Sequence, residues 1–311
     1  MDPYKNQQPD PTKVPRYCGI STFARINILN ENESCDIAVV GIPFDSGVTF
    51  RPGARFGPES IRSSSRLLRN FSINQMKSPF ENKLIRDAGD IPCNPFNIHA
   101  SLDIISDKIN ELFSKVNNLI FLGGDHTISY PILRSINKKF GKVALLHFDS
   151  HFDTWDEYFG EKCTHGTPFK RALDENLIDV DHSMHVGIHG TIKDYTDIEN
   201  DEKLGFKTIF TDEIDSLGLQ GVIDKILKRI GDVPCYISID IDCIDPAYAP
   251  GTGTPEPGGF SSRELFNILK GITKLKVVGG DIVEVSPSYD SNSITSQLAA
   301  HLAYELITMI Y

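Results

Sequence analysis

The 311-residue sequence predicts one α/β domain with three layers, in which helices cover both faces of a mostly parallel sheet. Strand-like and helix-like segments alternate along most of the chain, as they do in βαβ units. Metal-ligand residue types follow several apolar runs directly, at the place where parallel sheets bind ligands. Neither a linker nor an internal repeat stands out. We therefore expect one catalytic domain over 36–311 and a loosely structured N-terminal arm over 1–35.

Short apolar runs predict the strands of this sheet. They are rich in Val, Ile, Leu and Phe, and they show little polar alternation, which is typical of strands buried on both faces. The first covers the run Ile37-Ala38-Val39-Val40-Gly41. The others, in chain order, are 119–122, 143–146, 184–188, 207–210, 236–240 and 276–285.

Helical periodicity and end signals predict the helices between these strands. Pro58 stands in a first turn, where a missing N–H costs nothing. Leu102, Ile105 and Ile109 recur at helical spacing in the stretch from about 101 to 116. A capping pattern at Ser261 opens a later helix. The remaining predicted helices are 127–138, 168–177, 219–230 and 293–310.

Composition and charge exclude several classes of function. The formal net charge of -11 disfavours nucleic-acid binding, which needs clustered Lys and Arg, and mildly favours cationic substrates. No apolar run approaches the roughly 18 residues of a membrane helix, and the N-terminus lacks a signal-peptide pattern. A cytoplasmic location is therefore the default expectation. The six cysteines contain no CxxC pair and indicate reduced thiols.

The segment after the apolar run 143–146 is the clearest sign of a metal site. Asp149, His151 and Asp153 stand two residues apart, so an extended backbone would project all three from one face. An isolated pattern of this kind also occurs by chance in surface loops. This segment therefore indicates a metal site only if other strand ends carry ligand residues as well.

Two further strand ends repeat the arrangement. Asp240 and Asp242 close the run 236–242, and His126 follows the run 119–122. Buried carboxylates are costly without cations, and no Lys or Arg is near enough in sequence to neutralise all four. Four aspartates and two histidines suffice for two ions that share carboxylates. Such oxygen-rich ligands suit Mn²⁺, with Fe, Co, Ni or Zn also possible, and hydrolysis of a phosphate, an amide or an amidine stays open.

Eight sequence blocks together resemble the ureohydrolases, the superfamily of arginase and agmatinase. The resemblance covers nearly all of 15–310, and the last two blocks look most like agmatinase. The blocks are GIPFD at 41–45, RPGARFGP at 51–58, GDH at 124–126, DSHFD at 149–153, HGTPF at 165–169, SIDIDCIDP at 238–246, APGTGTPEPGG at 249–259 and DIVEVSP at 281–287.

The resemblance implies a site with two Mn²⁺ ions, in which a bridging hydroxide attacks the guanidinium carbon. Asp153 would take up a proton and pass it to the leaving amine, and His165 would act as proton shuttle, a task that suits its ordinary pKa. Glu284 would pair with the guanidinium; it lies in an apolar run where a bare carboxylate needs a partner. One ion would be bound by His126, Asp149, Asp153 and Asp240, and the other by His151, Asp149, Asp240 and Asp242.

Agmatine, cleaved to putrescine and urea, is the substrate that the resemblance favours. The Ser-Gly-Asn type of segment by which arginases recognise an amino acid is missing from 155–164. Related enzymes that act on 4-guanidinobutanoate, 3-guanidinopropanoate or guanidine remain alternatives, as does a catalytically silent guanidino-binding homologue. A phosphatase is disfavoured, because no cluster of Arg and Lys accompanies the metal blocks. The resemblance also implies a homotrimer or homohexamer.

Other residues near these blocks have plainer interpretations. His147 should point away from the ligand face and serve as a core histidine. Asp125 is expected to organise the backbone. Trp155 either lines the pocket or belongs to the scaffold. Three positions depart from the usual agmatinase pattern and bear on pocket preference: Ser150, Phe152 and His189. Structural roles are expected for His182, His185 and His189.

Overall fold

Eight parallel strands form a single sheet at the centre of the computed structural model, which describes residues 7–310. Their order across the sheet is β2-β1-β3-β8-β7-β4-β5-β6. The all-parallel arrangement confirms the predicted fold class. The strands are β1 Cys35–Ile42, β2 Ile85–Asp90, β3 Val116–Gly123, β4 Ala144–Phe148, β5 Met184–Ile188, β6 Lys207–Phe210, β7 Pro234–Asp240 and β8 Lys276–Val283.

Helices cover both faces of the sheet and enclose two apolar cores. Alternate strand residues supply the two cores: Ile120 and Leu122 pack on one side, and Leu119 and Phe121 on the other. Helices α1, α6, α7 and α8 pack on the first side, and α2, α3 and α4 on the second. The helices are α1 Gly57–Ser64, α2 Ile98–Leu112, α3 Ser129–Phe140, α4 Pro168–Asp174, α5 Thr196–Leu204, α6 Thr211–Ile230, α7 Ser262–Gly271 and α8 Ile294–Met309.

Two elements escaped the sequence-based prediction because they lack an apolar pattern. Strand β2 contains the charged residues Arg86 and Asp87, which are buried but interrupt the apolar run that would have indicated a buried strand. Helix α5 has a single buried residue, Asp201, and therefore no apolar stripe. Helix α6 begins earlier than predicted and contains a break at Gly218, where φ is 65°. Gly supplies this positive φ without steric cost.

The described part of the N-terminal arm, residues 7–34, packs against the sheet domain. Phe23 and Ile26 are buried in the first core. The backbone N–H of Phe23 donates to the Asp87 carboxylate at 2.6 Å, and the same carboxylate pairs with the buried guanidinium of Arg62. Residues 1–6 of the predicted arm lie outside the described residues. Within residues 7–310 no helix is both long and apolar enough to cross a membrane.

Candidate metal centre

The carboxyl ends of four adjacent strands create the site. Strands β3, β8, β7 and β4 occupy the middle of the sheet and end at the same edge. The turn after β3 passes so close to the neighbouring loop that a Cβ on Gly124 would lie 2.4 Å from the carbonyl oxygen of Phe44. Glycine is therefore required there, and the tight turn delivers His126. Strand β7 ends at Asp240, whose carboxylate accepts the N–H of Asp242.

The first group of ligand atoms surrounds Nδ1 of His126. This atom lies 3.2 Å from Asp149 Oδ2, 2.9 Å from Asp153 Oδ2 and 3.3 Å from Asp240 Oδ2. Among the described residues Nδ1 has no hydrogen-bond partner, although it is fully buried. An unpartnered buried nitrogen facing three carboxylate oxygens fits a metal ion.

The second group is built around His151. Its Nδ1 atom lies 3.3 Å from Asp149 Oδ1 and 3.2 Å from Asp242 Oδ2. Asp149 therefore turns one carboxylate oxygen toward each group, which is the geometry of a bridging ligand. The structure thus brings together all six residues that the sequence predicts as metal ligands, in two groups that share Asp149, and His147 lies beside the first group.

The clustered carboxylates shift the pKa values of the groups in this site. Burial lowers the pKa of His126, but the carboxylates of Asp149, Asp153 and Asp240 outweigh it and hold that pKa well above its usual value. Burial lowers the pKa of His151 too, and Asp242 and Asp149 outweigh it and raise that pKa well above its usual value. Burial and the charges of Asp242 and Asp149 raise the pKa of Asp240. The site therefore favours positive charge among its carboxylates, which suits a cation.

Glu284 occupies the inner end of the site, in a position that differs from the expected one. Strand β8 ends at Val283, so Glu284 is the first residue after the strand, with φ of 61°. Its Oε1 atom accepts the backbone N–H of His126 at 2.9 Å and lies 3.1 Å from Nδ1 of His165. No described residue donates to Oε2. One carboxylate oxygen thus stays available for a cationic ligand.

His165 is held between Glu284 and the loop after β1. The backbone N–H and the hydroxyl of Thr49 lie 3.1 Å and 2.8 Å from Nε2 of His165. Burial lowers the pKa of His165, and the hydrogen bond to Glu284 overcomes this and raises it to about 9. The Thr49 N–H donates to Nε2 of His165, which can accept this hydrogen bond only when it carries no proton, so this contact favours the neutral ring. A ligand that took over the Glu284 carboxylate would remove the main cause of the raised pKa.

Two residues that organise the site were not recognised from the sequence. Asp281, in β8, accepts the hydroxyl of Ser238 at 2.6 Å, and that hydroxyl lies 2.9 Å from Nε2 of His126. His147 is the second. The expectation that it points away was wrong: its Nε2 atom lies 2.8 Å from Asp149 Oδ2, because residues two apart along an extended chain project from the same face. Burial lowers the pKa of His147 to about 4.

Two other residues singled out in the sequence, Asp125 and His189, make hydrogen bonds with the backbone. Asp125 is a backbone organiser, since its carboxylate accepts the N–H groups of Gly47 and Thr127 at 2.8 Å and 2.9 Å. Burial and the charge of Glu284 raise the pKa of Asp125 to about 7. His189 is held by carbonyl oxygens, with Nε2 lying 3.0 Å from that of Glu256.

A cavity of about 380 Å³ leads from the surface to the ligand groups. Trp155 lines it, and its ring stacks on Tyr158 with centroids 4.5 Å apart and planes within 3°. Lys193 and Asp197 line the outer end. The cavity therefore joins a metal site to an aromatic wall and a charged mouth, which suits a small polar substrate with an apolar middle.

Comparisons with known proteins agree with this geometry. The model of the arginase family matches residues 35–309. A guanidinobutyrase of Pseudomonas aeruginosa is 39% identical, over 100% of this chain and 98% of that protein. The mitochondrial agmatinase of Gallus gallus is 38% identical, over 98% of this chain and 90% of that protein. The solved structure of proclavaminate amidinohydrolase from Streptomyces clavuligerus matches with a TM-score of 0.91 at 38% identity, covering 95% of this chain and 98% of that one.

Proposed function

The chain belongs to the arginase family and is a metal-dependent ureohydrolase with a binuclear site; we propose that it hydrolyses agmatine to putrescine and urea with two Mn²⁺ ions. The observation that carries the choice of substrate is the carboxylate of Asp197 at the mouth of the cavity. In segment 191–200, which borders the mouth, Asp197 lines the cavity together with Lys193. Agmatine carries a positive charge at each end, so both ends find carboxylates.

Ligand chemistry supports Mn²⁺. Carboxylate oxygens outnumber imidazole nitrogens, and no thiol takes part, a combination that suits Mn²⁺ better than softer metals. When bound, the ions would supply Lewis-acid charge and make an attacking water acidic near neutral pH. We assign one ion to His126, Asp149, Asp153 and Asp240, and the other to His151, Asp149, Asp240 and Asp242.

The chain's own residues orient the guanidinium and move protons. Glu284 would accept guanidinium N–H groups in charge-assisted hydrogen bonds at Oε2, the carboxylate oxygen to which no described residue donates. Asp153, at the floor of the cavity, would accept the proton of the attacking water. His165 is linked to Glu284 and lines the same cavity, so it would deliver a proton to the departing amine.

Asp197 is the residue proposed to bind the ammonium end of agmatine. It lines the mouth, and its Oδ2 atom accepts the backbone N–H of Lys193 at 3.1 Å, which fixes the short side chain. An ammonium–carboxylate contact at a partly exposed site contributes about 1 kcal/mol, or roughly a fivefold effect on KM. Asp197 thereby favours a cationic tail over a neutral one.

Lys193 favours a second candidate, a guanidino acid such as 4-guanidinobutanoate. Its side chain lines the same mouth and forms no ion pair with any residue in 7–310. An unpaired ammonium would attract a carboxylate tail. The long Lys193 side chain is exposed and can turn toward water, whereas the shorter Asp197 is fixed, so we rank agmatine first.

Urea release by the Mn²⁺-loaded protein tests the proposal. Agmatine, 4-guanidinobutanoate, 3-guanidinopropanoate, arginine and guanidine are compared for kcat/KM. Asp197→Asn should raise KM for agmatine about fivefold and leave KM for 4-guanidinobutanoate unchanged or lower. Lys193→Gln should raise KM for 4-guanidinobutanoate and leave KM for agmatine unchanged or lower. Glu199→Gln removes the same charge from α5 outside the cavity lining and is the matched control.

Each outcome has a distinct meaning. A dominant rate on agmatine, together with the Asp197 effect, would support the proposal. Preference for a guanidino acid, lost in Lys193→Gln, would replace agmatine by the second candidate and keep the reaction. Two bound ions without urea from any of the compounds would contradict both, and would favour a silent guanidino-binding homologue.

A further inference from the structure

A chain of buried polar side chains leads from the metal-ligand segment to helix α5. Nδ1 of His147 lies 2.7 Å from Nδ1 of His185, whose Nε2 atom lies 3.3 Å from Oδ1 of Asp201. All three residues are at most 1% exposed. Apolar and aromatic side chains surround them, with the rings of Phe206 and His185 only 4.3 Å apart between centroids. The contacts within the chain are therefore protected from water.

Asp201 contacts this segment at its other end as well. The hydroxyl of Thr154, the residue after Asp153, donates to Oδ1 of Asp201 at 2.9 Å. The hydroxyl of Thr208 lies 3.5 Å from Oδ2 and makes a weaker contact. Asp201 thus accepts a hydrogen bond at the end of the ligand segment 149–153, from Thr154, and is linked to its start through the 3.3 Å charge contact with Nε2 of His185, which makes no hydrogen bond to any residue in 7–310.

The cost of burying this carboxylate indicates that it has a role. Asp201 is the single buried residue of α5, and within 7–310 no Lys or Arg forms an ion pair with it. An apolar residue would attach the helix more cheaply, since an isolated carboxylate is expensive to desolvate. The partners that Asp201 has instead are those that touch the neighbours of metal ligands.

We propose that Asp201 is a positioning residue that holds segment 149–153 at both ends, through His185 and His147 at Asp149 and through Thr154 at Asp153. The inference rests on the metal ligands assigned above. It follows the general rule that groups behind metal ligands set their orientation, and that losing such groups weakens metal affinity about 10-fold to 100-fold. Asp201 itself contacts neither ion nor substrate.

Metal affinity is the readout, measured by competition between the full-length protein and a chelator for Mn²⁺. Asp201→Leu, of similar size, should weaken binding at least tenfold, and His185→Leu should do the same. Asp201→Asn and His185→Gln keep hydrogen-bonding atoms and should recover most of the loss. Thr154→Val should weaken Mn²⁺ binding. Thr208→Val is the same substitution at the weaker, 3.5 Å contact with Asp201, which does not lead to the ligand segment, and it should have little effect.

A purely structural role would give a different pattern. Met184→Leu changes packing on the opposite face of β5 and controls for general loosening. If metal affinity fell only in proportion to the melting temperature of the metal-free variants, or stayed unchanged in Asp201→Leu and Thr154→Val, the proposal would be wrong. The affinity readout does not need urea release, so it remains decisive even if the protein hydrolyses none of the test compounds. Failure of the wild-type protein to bind Mn²⁺ would contradict both proposals.

Discussion

Metal binding should tighten by about tenfold per pH unit for each ion across the neutral range. His126 and His151 have pKa values well above the ordinary one, since neighbouring carboxylates outweigh the effect of burial. Both shifts favour the imidazolium form of these residues in the metal-free protein. Each ion must displace one such proton, and one proton corresponds to about 1.4 kcal/mol per pH unit. The raised pKa of Asp240 can only steepen this dependence.

The same groups fix the sign of the stability change. A group whose pKa is higher in the folded than in the unfolded protein adds to the free energy of unfolding. This contribution is complete at pH values below the unfolded-state pKa and is lost as pH rises through the folded-state pKa. The metal-free protein should therefore lose stability as pH increases, while Mn²⁺ raises its melting temperature by a growing amount. The depressed pKa of Asp149, caused by His147 and His126 against the effect of burial, adds no loss in this range.

Chelator competition at about pH 6 and about pH 8 measures this slope, and calorimetry in buffers of different ionisation enthalpy counts the protons. His151→Asn removes one imidazole and should flatten the slope for one ion. His182→Asn, on a half-buried residue outside the site that pairs with Asp179, should change nothing. Equal Mn²⁺ affinities at the two pH values would refute the electrostatic argument.

Three further predictions concern the site and its scaffold. Glu284→Gln keeps an acceptor for the His126 N–H but loses the charge, so kcat/KM should fall about 10-fold to 100-fold with two ions still bound, measured by urea release and metal analysis. Gly124→Ala should lower the unfolding free energy by 1–3 kcal/mol or more in denaturant titrations, at about the scale of overpacking, because its Cβ would overlap carbonyl oxygens. Gly221→Ala, inside α6, should instead be neutral or stabilising by up to about 1 kcal/mol. Arg62→Leu leaves the buried carboxylate of Asp87 unpaired and should cost about 3–5 kcal/mol in the same titration, and an unchanged midpoint would contradict a role for this ion pair.

The sequence sufficed for seven of the eight strands and for expecting the proposed ligands at one edge of the sheet, for a simple physical reason. All strands are parallel, so every carboxyl end lies at the same edge, and polar residues after apolar runs meet there when their strands are neighbours. His126, Asp149 and Asp240 each follow such a run. Strand order, which brings β3, β8, β7 and β4 together, could not be deduced from the sequence.

Residues whose burial is not reflected in an apolar pattern could not be predicted. Helix α5 looks like a solvent-exposed segment, and its single buried residue is a carboxylate. His185 stands in a recognised strand, but nothing local shows that it faces His147 on the neighbouring strand or Asp201 beyond. Tertiary contacts alone create this chain of residues. The sequence interpretation of His185 as structural was therefore incomplete, since it did not identify these partners.

The expectation of an extended backbone that projects Asp149, His151 and Asp153 from one face differs from the structure, and backbone strain explains why. In an extended strand, side chains four residues apart are roughly 13 Å apart, too far for Asp149 and Asp153 to reach the same nitrogen of His126. The chain instead takes a left-handed conformation at Asp153, with φ of 55°, and at Glu284. Each such residue costs about 1–2 kcal/mol. Side chains of one segment can point to the same place only if the backbone leaves the regular extended conformation. The strained backbone at Asp153 and the wrong expectation of an extended ligand segment therefore have the same cause.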